Sequence, residues 1–513
     1  MKKTKYIVIA LFFALLLNNA CTKLDEKLYS SVNANEWYST ENECLLAMGG
    51  AYAGLRYRGT SLWGWLGTEV VTTDEAVIPV HTNGSFLDNN GLWRDLLKHN
   101  FSSNQDPMDA SWEICFNTVA NCNQIIYQIQ NSPAQFAGKE EMIAELRTLR
   151  AFTLYKAIDL FGNIPIVLDF KNTDLPKQLI RKEAFNIVEK ELKESYPALK
   201  AVPSQEYYGR CIRPVAFAIL AKMYLNSEKW TGTPRYDEAN AMCDSIIKGG
   251  NSSYILEPAY LDNFKIQNEN SKEVIFAMPY DRVIGDWGFQ MHMYTLHWAQ
   301  LAKYDLAGTW CWNGLCMTEK MYDSFDSTDT RREGWLVGPQ FYDNGDPIWG
   351  YEGGQLTFTK KITNLDASPE GEGVRCFKWE INRGLTGWQT MDNDFSFFRY
   401  ADILLMKAEA LMRKSGGSTS TDATVLNLVN QVRKRAFGND SHNYSSLTLD
   451  ELLAERGREL AFEELRRQDL IRFGKFGNAW EFKPASPAYK ELLPIPNMAL
   501  NANPNLQQNQ GYN

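Results

Sequence analysis

The side chains able to do chemistry are scattered, and their spacing spells out no catalyst. The five histidines, His81, His99, His292, His297 and His442, sit in no HExxH run and beside no GxSxG turn. No CxxC occurs, so structural-zinc and thioredoxin-type readings are weak. Paired glycosidase carboxylates need no fixed separation in sequence, so the many Asp and Glu neither support nor oppose them. Asp74-Glu75 suits a cap or turn better than a metal or catalytic role. Asp343-Asn344-Gly345-Asp346 begins like a calcium loop, lacks the remaining spaced ligands and reads as a tight turn. Sugar recognition would ask for something simpler, an aromatic face to cover the apolar face of a pyranose and Asn, Asp, Arg or Gln to bond its hydroxyls. Trp93-Arg94-Asp95, Asp286-Trp287 and Trp310-Cys311-Trp312-Asn313 offer both kinds of group. The candidate ligand-binding residues are therefore Trp93, Arg94, Trp287, Trp310, Trp312 and Asn313, with a buried core role as the competing reading of each Trp. No catalytic residue, metal ligand or cofactor is implied.

The composition fits a binding protein. At 44% hydrophobic and 22% charged residues the chain is ordinary globular protein, but 13% aromatics with 15 Trp exceeds what a helical core needs. The net charge of −9 becomes −12 once residues 1–20, with Lys2, Lys3 and Lys5, are set aside. An acidic chain with no basic run suits neither nucleic acid nor electrostatic membrane attachment.

Residues 1–20 read as a signal peptide: three early lysines, then an apolar run from Tyr6 to Leu17 too short for an ordinary membrane span. Ala20-Cys21 suits lipoprotein processing, with Cys21 acylated as the mature N-terminus, although Asn18 stands where such sites prefer Leu. Acylation by more than one chain would anchor the protein stably. Eight further cysteines, an even number in an exported chain, permit disulfides. Cys115 and Cys122 lie two turns apart on one helix, too far to bridge each other. Cys311 and Cys316 either close a small loop or are buried free thiols.

The elements that would position these groups are mostly helical. Helices are expected over Glu36–Arg58 (packing through Leu45, Leu46, Ala53 and Leu55), Ala110–Asn131, Gly138–Leu160 and Arg181–Leu199. Gly162 and Pro165 end the third. Arg213–Lys248 and Arg399–Phe437 each read as a helix–turn–helix unit with tetratricopeptide-like spacing. Between them, Gly249–Phe398 loses helical period and reads as irregular chain with short strands, ordered by packing on the scaffold. Leu447–Phe473 reads as one long amphipathic helix, a charged surface helix with Glu455–Arg458 and Glu463–Arg467 pairs on its outer face.

That last stretch also carries a resemblance. Glu455-Arg456-x-x-Glu459-Leu460-x-x-Glu463-x-x-Arg466-x-x-Asp469-Leu470-x-Arg472 resembles the C-terminal signature of the SusD/RagB family. Leu492-Leu493-Pro494-Ile495-Pro496, the ending Asn503-Pro504 to Gly511-Tyr512, Arg399 to Ala410, and Arg147 to Pro165 resemble further family strings in the same order. The resemblance implies an all-α, tetratricopeptide-type scaffold with a loop-rich insertion, divided into residues 21–250 and 251–513. It also implies a lipid-anchored protein facing outward from the outer membrane of Bacteroidetes. Such a protein binds an oligosaccharide without turnover and passes it to a SusC-like, TonB-dependent transporter. A peptide-binding member, a secreted glycoside hydrolase and a protein adaptor are the alternatives.

Overall fold

The computed structural model describes residues 38–83, 88–249, 254–283, 288–306, 308–387 and 390–512. The signal segment, Cys21 and Trp287 lie outside the described residues. The helices are α1 (Glu41–Arg56), α2 (Trp65–Glu69), α3 (Leu92–Leu97), α4 (Asp106–Asn131), α5 (Lys139–Phe161), α6 (Arg181–Ser195), α7 (Arg213–Thr231), α8 (Tyr236–Ile247), α9 (Met291–Thr295), α10 (Glu319–Asp323), α11 (Tyr400–Lys414), α12 (Ala423–Phe437), α13 (Leu449–Glu459), α14 (Arg466–Arg472) and α15 (Asn497–Ala502).

Local signals set the helix ends as expected. A capping box opens α1: Thr40 Oγ1 accepts from the Glu43 amide, and the Glu43 carboxylate takes the Thr40 amide at 2.9 Å. The inward face of α1 is Cys44, Met48, Ala51 and Leu55; Leu45 and Leu46 are exposed, contrary to expectation. Gly162 ends α5 at φ 74°, and Gly232 ends α7 at φ 77°. From Ala144 to Phe161, α5 is buried almost all round except at Arg147, which makes it the axis of the N-terminal half.

Tertiary packing then joins what sequence separates. The two helix–turn–helix units α7–α8 and α11–α12 stack directly, α8 against α11. The insertion between them is closed at its ends: strand Val274–Met278 pairs antiparallel with Phe395–Arg399, and every residue of both is buried. Inside it, Cys316–Met317, Val374–Cys376 and Trp335–Leu336 form a small antiparallel sheet with Ala76–Val77. The eight cysteines from Cys44 to Cys376 are all buried free thiols, Cys311 and Cys316 included. Residues 342–346 make the tight turn read from sequence, with Gly345 at φ 89°.

The charged stretch 447–473 is not one surface helix. It breaks after Glu459 and resumes at Arg466, with Phe462 and Glu464 in left-handed backbone at φ 62° and 60°. From Glu455 to Arg472 every residue is buried, charges included, while Asp450 and Glu451 at the start of α13 remain accessible. Glu455 binds Arg331 (2.9 Å), Arg433 (2.7 Å) and Arg458 (2.6 Å). Glu459 binds Arg331 (3.0 Å), Arg399 (2.6 Å) and Arg435. The expected Glu463–Arg467 pair does not form: Glu463 turns to Lys378 and Arg399, and Arg467 donates to the Glu491 carbonyl. The physical reason is that Asp329, Arg331 and Lys378 of the insertion fold down onto this segment and exclude water. Helical charge patterning looks the same whether solvent or another segment covers it.

Candidate ligand-binding groove

The best-formed site lies where three segments meet. After α1 the chain turns tightly, with the Trp65 amide on the Arg58 carbonyl (3.2 Å) and the Gly64 amide on Ser61 (2.9 Å). A Cβ at Gly64 would stand 1.8 Å from the Arg58 carbonyl oxygen, so this turn requires glycine. It presents Tyr57, Arg58 and Trp63 on one wall. The first turns of α4 supply Asp106, Asp109 and Glu113, which share one helix face at spacings of three and four. Gln290, just before α9, and Trp312 make the third wall, and Met498 of α15 closes the rim. The groove has a volume of about 580 Å³.

Its floor is aromatic. Trp63 meets Trp93 edge-to-face at 5.5 Å and Trp312 at 6.0 Å, and Tyr294 lies 5.6 Å from Trp312. Trp93 (1% exposed) is wholly covered, Trp312 (5%) shows only an edge, and Trp63 is partly open. Of the three tryptophans Trp63 is thus the ring available for stacking, held upright by the other two, and Tyr57 on the same wall is exposed as well.

Its polar groups are incompletely satisfied. Gln290 is 5% exposed; its Oε1 accepts from the Tyr294 hydroxyl at 2.8 Å, while its Nε2 has no protein partner. Asp109 Oδ1 is likewise covered and unpartnered. Burial, reinforced by the Glu113 and Asp106 carboxylates and opposed by Arg58, raises the Asp109 pKa. A buried polar atom left unpaired costs about 1–3 kcal/mol, a cost that ligand hydroxyls would relieve. Arg58 reaches Glu113 at 3.4 Å, a half-exposed pair of little strength. A second cleft, of about 370 Å³ near Trp480, is less suited: its Arg466–Asp74 and Lys475–Asp450 charges are already paired.

Of the residues singled out in sequence, the structure brings Trp93 and Trp312 together through Trp63. Arg94 lies elsewhere, tying Asp88 (2.8 Å) to Asp366 (2.7 Å). Asn313 is fully buried and accepts from Arg375 at 2.9 and 2.7 Å, while donating to the Glu370 carbonyl. Trp310 is half exposed and does not line the groove. Sequence reasoning passed over Tyr57, Arg58, Gln290 and the acidic row. The 106, 109, 113 spacing was the one signal that could have flagged them. Among the described residues no group of three or more His, Cys, Asp or Glu is arranged to hold a metal ion.

Comparison with known proteins agrees along most of the chain. Residues 272–512 match the model of the SusD family, and residues 64–225 match one described as "Starch-binding associating with outer membrane". The starch-binding protein SusD of Bacteroides thetaiotaomicron is 27% identical over 419 residues, spanning 72% of each chain. SusD-like protein P2 of Formosa agariphila is 25% identical over 539 residues and spans 100% of both. Surface glycan-binding protein A from Bacteroides thetaiotaomicron, solved in complex with laminarihexaose, superposes with a TM-score of 0.73 at 20% identity. That match covers 92% of this chain and 99% of the other.

Proposed function

The chain belongs to the SusD family, and on that premise we propose that its groove captures an uncharged glycan chain at the bacterial surface without cleaving it. The observation that carries the reading is a partly open ring, Trp63, beside the unpartnered Gln290 Nε2 and Asp109 Oδ1. A pyranose stacked on Trp63 would offer hydroxyls to both. Three carboxylates against one guanidinium disfavour an anionic polysaccharide on simple Coulomb grounds. The relative named for starch and the neighbour holding laminarihexaose fit the same class. Delivery would be to a SusC-like, TonB-dependent transporter, with the protein held at the outer face of the outer membrane through an acylated Cys21.

The acidic row also favours a second reading, capture of a basic peptide segment. Titration of the purified protein with amylopectin, laminarin, alginate and lysine-rich peptides, read by tryptophan fluorescence and by release of reducing ends, separates the two. The expected result is a saturable response to a neutral glycan with no cleavage. Trp63→Ala should weaken that binding about tenfold to a hundredfold, the worth of roughly 1.5–3 kcal/mol of buried aromatic surface. Response to peptides alone would end the glycan reading, and wild-type affinity in Trp63→Ala would move the site elsewhere.

A further inference from the structure

The insertion carries a second aromatic surface that the groove does not use. Trp349 and Tyr351 are 64% and 65% exposed, far more than rings of that size usually are. They stand on a short hairpin in which Trp349 pairs with Gln355 and the Gly350 amide donates to the Gly354 carbonyl at 3.0 Å. Tyr351 stands two residues after Trp349, in the bend that closes the hairpin. Tyr351 meets the partly exposed Trp298 edge-to-face at 5.6 Å.

This arrangement is rigid. Beneath the rings, Ile348, Leu356 and Phe358 form a small buried core. The Glu370 carboxylate pins the hairpin to the Trp298 turn: it accepts from the Glu352 amide at 2.9 Å and from His297 Nε2 at 3.1 Å. A Cβ at Gly350 would fall 2.1 Å from Glu370 Oε1, so the hairpin approaches as closely as glycine allows. Rings held in place before binding lose little freedom when a ligand stacks on them.

The position of this surface says what covers it. Residues 290–298 run from the groove wall to Trp298: Gln290 faces the groove, α9 follows, and Trp298 ends the segment. Five helical residues and a short extended run separate the two by about 20 Å at most. We propose that Trp349, Tyr351 and Trp298 form a second carbohydrate-contact site, stacking outlying sugar rings of the same polymer that occupies the groove. This rests on the groove reading and adds to it a preference for polymers over short oligomers, through the effective concentration of a tethered second contact.

The test uses the purified full-length chain, Trp349→Ala/Tyr351→Ala, Trp349→Ala alone and Trp63→Ala. The probes are amylopectin and laminarin, with maltotriose and laminaritriose as their short counterparts. The expected result is about a tenfold loss of polymer affinity in the double variant, a smaller loss in Trp349→Ala, and trimer affinity unchanged. Trp63→Ala should lower both. Polymer affinity within twofold of wild type in the double variant overturns the proposal and leaves these rings as a surface for another protein. Equal loss for polymer and trimer also overturns it, because the rings then belong to one primary site. Wild-type protein that binds none of the four probes fails the groove reading itself and takes this proposal with it.

Discussion

Replacing Glu459 with Gln tests the claim that the charged C-terminal stretch is a buried joint. Glu459 is fully buried and meets three guanidinium groups, those of Arg331, Arg399 and Arg435. Burial pushes its pKa up, but Arg435, Arg399 and Arg331 outweigh that and bring it from 4.5 to about 2. A depression of that size corresponds to about 3 kcal/mol of stability at neutral pH. Removing one partner from a buried ion cluster costs about 3–5 kcal/mol, which agrees. Because the folded pKa lies below the unfolded one, this stability is complete above about pH 5 and is lost as pH falls toward 2. Between pH 7 and pH 3.5 the wild type should lose about 1.4 kcal/mol of it, and Glu459→Gln none. Urea unfolding followed by circular dichroism at both pH values measures the gap. Four buried histidines, His81, His99, His292 and His297, have pKa values lowered by burial to about 3, 2, 3 and 3. They destabilise both proteins alike below pH 6.5 and cancel in the difference. A gap under about 1 kcal/mol at pH 7, or one that does not narrow at pH 3.5, would refute the buried-joint argument.

Three further outcomes follow from single contacts. Gln290→Met should weaken glycan binding about fivefold to tenfold, the worth of about 1–1.4 kcal/mol in one hydrogen bond, by calorimetry. It should move the melting point of the unliganded protein little, because relief of the unpaired Nε2 offsets the lost acceptor of the Tyr294 hydroxyl, which keeps Ser61 Oγ at 3.4 Å. Gly64→Ala should abolish binding and lower the melting temperature, because its methyl cannot stand 1.8 Å from the Arg58 carbonyl; wild-type affinity would show that the turn does not present Arg58 and Trp63. The eight buried thiols should resist a disulfide reagent in the folded protein and react on unfolding in urea. Burial pushes Cys122 up to about 12, against the opposing pull of Arg150. Rapid reaction of any of them under native conditions would contradict the packing.

Much of the scaffold was legible because its causes are local. Thr40 and Glu43 cap α1, Gly162 and Gly232 end helices through their own backbone freedom, and helical periodicity marks the paired units. The site was less legible. Nothing in the residues around Trp63 or Gln290 marks either one for the site. Trp93 and Trp312 were chosen for their neighbours Arg94 and Asn313, which the structure commits to Asp88, Asp366 and Arg375. Leu447–Phe473 went furthest astray, since its pattern carries no record of Asp329, Arg331 and Lys378 closing over it.

The sequence by itself determined most of the helices and their ends, the family resemblance, and the acidic, tryptophan-rich composition of the chain. Each of these depends on residue type or on neighbours within a few positions. Tertiary structure alone decided which charges are buried and which aromatics stay open. Both depend on desolvation by segments far away in the chain: Trp63 becomes a stacking surface because Trp93 and Trp312 hold it upright, and Glu459 becomes a joint because Arg331 and Arg399 reach it. Water exclusion is a property of the assembled fold, and no local pattern encodes it.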